Sequence, residues 1–146
     1  MPSGRSSTSP RGRRRAPRLA VRSKVWLEAD GRRVFSVGRM QLLEAIDAEG
    51  SIQKAAKRLG MSYRAAWGKI KASEEALDIE LLERTIGGSK GGGAQLTEAA
   101  RDLMARYSSC WKAVNTAADS SFSKAFTRKT NRASTRAKRS SRRSSP

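Results

Sequence analysis

Tyr63, Arg64, Trp67 and Lys71 share the outer face and one flank of a helical repeat, and no acid interrupts them until Glu74. Two cations and two aromatic rings so placed suit a negatively charged groove. Little else in the chain suits chemistry. It has no histidine and a single cysteine, and it shows neither paired carboxylates in an apolar setting nor a nucleophile beside a base. An enzyme is therefore not expected. Nor are a metal site or a cofactor, because the familiar zinc ligand sets need histidine or several cysteines. Cys110, in the middle of a helical pattern, reads as a small buried apolar residue. Trp67 admits two readings: an exposed ring that needs a partner, or a ring packed under a neighbouring element.

The element that must carry these side chains is the second of two short helices within residues 50–77. Ser51 is a good N-cap for the first, whose apolar positions are Ile52, Ala55, Ala56 and Leu59. Gly60 permits the left-handed backbone that ends one helix before another begins. Ser62 caps the second, and Ala66, Ile70, Ser73 and Leu77 recur at three- and four-residue spacing to form its inner face. The small side chain of Ala56 lets the two helices cross closely. This is the helix-turn-helix pattern, in which the second helix enters the DNA major groove.

The flanking stretches supply supports. Residues 24–29 and 33–37 are β-prone runs separated by Asp30-Gly31, a strong hairpin signal. A first helix over residues 38–47, with Leu42, Leu43 and Ile46 inward, offers the core face on which the pair rests. After Leu77, a strand is expected to lead into the glycine-rich tip 87–93, with residues 94–96 as the return strand: a wing beside the recognition helix. The order Ser89-Lys90-Gly91 lacks the lysine-then-hydroxyl sequence of a nucleotide-binding loop. Lys90 and the free backbone N–H groups around Gly91 suit a DNA phosphate better. An ordinary flexible hairpin tip would carry the same glycines. Thr97 then caps a long helix to about Ala118, with Ala100, Leu103, Tyr107, Cys110, Val114 and Ala117 stepping by three and four. That period is the seam of a coiled coil and favours a homodimer through Leu103, Tyr107, Cys110 and Val114. A helix that merely covers its own domain is the alternative.

The net charge of +18 is uneven. Every acid lies between Glu28 and Asp119, while seven Arg precede Lys24 and nine Lys or Arg follow from Lys124 onward. Three regions result: a disordered basic tail over 1–23, one folded domain over 24–119, and a second disordered basic tail over 120–146. No apolar run approaches the ~20 residues that span a bilayer. No hydrophobic stretch follows the basic N-terminus, so no membrane or secretory role is expected. A cytoplasmic, nucleoid-associated protein is the reading.

Residues 55–62, Glu74 to Leu77, Leu82-Glu83-Arg84 and Leu96-Thr97-Glu98 resemble the DNA-binding domain of LysR-type regulators. The strings Ser62-Tyr63-Arg64-Ala65-Ala66-Trp67 and Gly87 to Thr97 narrow this, and look like the N-terminal domain of ModE-type molybdate-responsive regulators. The resemblance covers roughly residues 24–118. It implies a mainly α fold with a small β component: a winged helix-turn-helix with an N-terminal β-hairpin, a two-stranded wing and a long C-terminal dimerisation helix. It further implies a homodimer on an inverted-repeat operator in double-stranded DNA. Ser62, Tyr63, Arg64, Trp67 and Lys71 would then lie at or near the groove, with Lys90 and its glycines on the flanking backbone. ModE-type proteins carry molybdate-binding modules after this domain, and none fits in residues 120–146. The expectation is a chain that does not sense molybdate itself, with any oxyanion sensing left to a separate partner. The other reading is an architectural protein whose basic tails bind DNA without sequence preference.

Overall fold

Asp30 and Gly31 both adopt positive φ, +52° and +75°. That is the backbone twist a two-residue hairpin turn requires. They join β1 (Trp26–Ala29) to β2 (Arg32–Ser36) in antiparallel register, with an irregularity between Leu27 and Glu28. The structure, a computed structural model, describes residues 17–88 and 91–140. Helices α1 (Val37–Glu49), α2 (Ile52–Arg58) and α3 (Tyr63–Leu77) follow, then β3 (Leu82–Gly88) and β4 (Gly91–Leu96), then α4 (Glu98–Ser140). The fold is mainly α, a winged helix-turn-helix with two small antiparallel sheets.

The core is one cluster. Leu42, Leu43 and Ile46 of α1 meet Ala55 and Ala56 of α2, Ala66 and Ile70 of α3, and Phe35 of the hairpin. The alanines are what let α2 and α3 approach α1, since each is essentially sealed from solvent. The caps act as expected: Ser51 Oγ accepts from the Lys54 amide and Ser62 Oγ from the Ala65 amide. Between the two helices Gly60 takes φ +68°, which an L side chain would resist. Ser73, on the inner face of α3, donates its hydroxyl proton to the Val34 carbonyl at 2.6 Å and so ties α3 to β2.

Three features differ from expectation. The wing strands run further into the glycines than the sequence suggested, leaving only residues 89 and 90 between them. A Cβ on Gly92 would stand 2.8 Å from the Thr85 carbonyl oxygen, so glycine is what allows the two strands to close there. Secondly, α4 does not end near Ala118 but continues to Ser140, 43 residues in all. Neither glycine nor proline occurs between Thr97 and Pro146. Lys and Arg make up seven of the 22 residues of the added stretch, and their straight side chains lose little freedom in a helix. The stretch read as a basic tail thus begins as helix, and residues 141–146 lie outside the described set. Thirdly, contacts begin before Lys24. Ser23 donates to Asn115 Oδ1 at 3.0 Å, and Val21, Ser23 and Val25 alternate half-buried with exposed Arg22 and Lys24 along α4. Residues 1–16 lie outside the described set.

Tyr107 anchors α4. Its ring meets Phe35 edge-on at 5.1 Å, and its hydroxyl donates to the Val25 carbonyl at 2.8 Å. Burial pushes its phenol pKa above the usual value. At 1% exposure it belongs to the chain's own core and offers no side-chain surface to another chain. Of the expected seam, Leu103 is half-buried, while Cys110 and Val114 are exposed. Cys110 is therefore not the buried residue its helical position suggested.

Candidate nucleic-acid interface

The first turn of α3 projects Tyr63, 49% exposed, and Arg64 into solvent, with Gly68 exposed a turn later. The wing stands beside them. Between the start of α2 (Ser51, Ile52, Gln53), Tyr63, and the wing residues Arg84, Thr85 and Gly92 to Ala94 lies an open cleft of about 350 Å³.

The wing is held at both strands. The Glu74 carboxylate, turned inward and only 9% exposed, accepts from the amides of Leu81 at 2.9 Å and Leu82 at 3.4 Å. The Ala94 amide donates to the Gly50 carbonyl at 2.9 Å, in the turn just before α2. So α3, the α1–α2 turn and the wing share direct hydrogen bonds.

Trp67 is half-buried against the core, and the guanidinium carbon of Arg84 lies 3.5 Å from its ring centroid. The second reading of this tryptophan holds: it packs under a neighbouring element, the wing. Lys71 also comes near the ring, at 5.0 Å, but its ammonium is paired with Glu74 at 3.0 Å.

Residues 37–101 match the family described as bacterial regulatory helix-turn-helix protein, lysR family. Over that stretch, a little under half of the chain, the sequence is similar to LysR-type helix-turn-helix domains. Among curated relatives, the molybdenum transport protein ModE of Azotobacter vinelandii is 41% identical over 85 residues, 58% of this chain and 32% of that protein. The DNA-binding transcriptional dual regulator ModE of Escherichia coli K12 is 37% identical over 89 residues, 61% of this chain and 32% of the relative. The chain thus spans about a third of the length of these relatives. The crystal structure of the CbnR_DBD–DNA complex is similar at 25% identity and a TM-score of 0.47, covering 60% of this chain and 95% of that one.

Within residues 37–101 the expected residues divide. Tyr63, Arg64, Trp67 and Lys71 do share one side of α3, but only the first two present their side chains unengaged. Ser62 is occupied as the cap. Gly91 opens β4, and Lys90 lies outside the described residues. Arg84 was missed as a contact residue, although a half-exposed tryptophan on α3 and a cation on the next strand are the kind of pair that finds itself.

Two further cations belong to the scaffold. Arg39 donates to the Arg33 carbonyl at 2.7 Å, and its guanidinium pKa is lowered first by burial and then by the neighbouring Arg33 charge. Arg101 grips Asp47 through two hydrogen bonds of 3.0 and 2.8 Å, which raise its pKa. No group of metal-binding residues occurs among the described residues, and none of their helices is long and apolar enough to cross a membrane.

Proposed function

We propose that this chain is a sequence-specific transcription regulator that lays α3 in the major groove of double-stranded DNA, as a homodimer on an inverted-repeat operator. One observation carries the reading: Tyr63 and Arg64 project from the acid-free first turn of a capped helix flanked by a wing. Helix-turn-helix domains read base edges from that turn. The names of the ModE relatives speak of DNA binding and of molybdenum transport; a link to molybdenum is part of the proposal.

The dimer draws its support from α4. Val114 is 39% exposed on it, beside exposed Cys110 and half-buried Leu103, which suits a second helix along that side. The location proposed is the cytoplasm, at the nucleoid.

Selection of duplexes from a random pool tests the reading. The selected site should outcompete bulk DNA by ~10³ or more at physiological salt, and the complex should contain two chains. Equal affinity for selected and scrambled duplexes would leave the architectural reading, which the basic residues outside 24–123 favour. Mapped genomic sites beside molybdenum-transport genes would support the molybdenum link, and scattered sites would remove it.

A further inference from the structure

We propose that Arg84 is a phosphate-gripping residue of the wing and that Trp67 is the platform that aims it, not a reader of bases. The inference rests on the DNA-binding reading above. A guanidinium carbon 3.5 Å from an indole centroid is a close cation–π stack. One side of that ring is on the core, and the cation lies over it. Little of its π surface is left for a base.

Arg84 itself is unsatisfied at its edge. Among the described residues its guanidinium forms neither an ion pair nor a hydrogen bond, although Glu80 and Glu83 line with it a second cleft beside Trp67 and Lys71. Nearby Lys71 is neutralised by Glu74. A stacked guanidinium keeps its N–H donors in the plane of the group, pointing away from the ring, where they match phosphate oxygens two at a time. Its position also fits. Arg84 borders the cleft shared by Tyr63 and Gly92 and the one shared by Trp67 and Lys71, which puts it on the ridge between α3 and the wing. A duplex with α3 in its major groove must pass a backbone strand over that ridge to reach the wing. The stack orders a long side chain before DNA arrives, so less freedom is lost on binding.

The test uses the full chain, a selected duplex and a scrambled one, with affinities measured over a salt series. Arg84→Ala should flatten the log–log salt slope by about 0.9 per protomer on both duplexes and leave their affinity ratio unchanged. Arg84→Lys should keep most of the slope. Trp67→Phe should lie near the wild type, while Trp67→Ala should weaken both duplexes alike and add nothing to Arg84→Ala in the double variant. A lower melting temperature with an unchanged salt slope would mark Arg84 as merely structural and overturn the inference. So would a Trp67→Phe variant that loses preference for the selected duplex, because the ring would then be reading sequence. A wild-type chain that binds no duplex brings down the DNA reading as well. One that discriminates while Arg84→Ala binds with the wild-type slope brings down this inference alone.

Discussion

Glu74 holds Leu81: an oxygen of the carboxylate on α3 lies 2.9 Å from the amide nitrogen just before β3, and the wing starts from that bond. The same oxygen takes the Leu82 amide, and the other oxygen takes Lys71. Glu74→Ala should destabilise the domain by about 1.5–3 kcal/mol, the usual worth of hydrogen bonds to a charged group. Hydrogen exchange at Leu81 and Leu82 should accelerate while exchange in α1 keeps its rate. Unaltered protection at those two amides would mean that the wing base is held by something else.

Two glycines should respond in opposite senses to alanine. At Gly92 the new methyl would press on the Thr85 carbonyl at 2.8 Å, so β3 and β4 must part and cross-strand contacts between Thr85 and Gly93 should vanish from NMR spectra. At Gly68 a Cβ meets nothing within 4 Å. Gly68→Ala should therefore raise stability by about 0.5–1 kcal/mol, because alanine loses less backbone freedom in a helix. A destabilised Gly68→Ala would show that α3 is not regular at that point.

Tyr107 makes stability sensitive to alkali. Its folded pKa is raised mainly by burial, so the folded chain retains a proton that the unfolded chain releases above about pH 10. The stabilisation is complete below that pH and declines as pH rises through the folded value. Tyr107→Phe keeps the contact with Phe35 but loses the hydrogen bond to Val25, at a cost of about 1 kcal/mol near neutrality. Urea midpoints taken from neutral to strongly alkaline pH should drop for the wild type and drop less for the variant. Parallel curves would place the alkaline sensitivity elsewhere.

Arg64→Ala should cost about 1–3 kcal/mol on the selected duplex if the guanidinium is bidentate to a base. An equal loss on scrambled DNA would make Arg64 another phosphate contact.

The basic extensions should act without sequence preference. Removing residues 1–16 and 127–146 should flatten the salt slope, by about five units if six of their cations meet phosphates, and leave the preference for the selected site intact. A lost preference would show that they read sequence.

Much of this was legible in the chain because it is local. The caps Ser51 and Ser62, the Asp30-Gly31 turn and the alternation of Ala66, Ile70 and Ser73 need only neighbours within a few residues to take effect. What escaped is tertiary. Glu74 reads as the first acid of an outer face, yet it lies one turn beyond Ile70 and swings inward, because two wing amides need an acceptor. Tyr107 has the spacing of an intermolecular seam, but its hydroxyl finds the Val25 carbonyl, 82 residues away in sequence. Periodicity says which residues share a side of a helix. It does not say whose surface that side meets. The end of α4 escaped for a different reason: a fading apolar pattern does not stop a helix when no residue breaks it.

From Tyr107 to Ser140 the last helix advances about 50 Å at 1.5 Å per residue. That length makes the helix a boom. A load on its far end acts at a distance on the contacts at its root, among them Tyr107 with Val25, Ser23 with Asn115 and Arg101 with Asp47. Leverage makes those root contacts the place where a tug would first be felt.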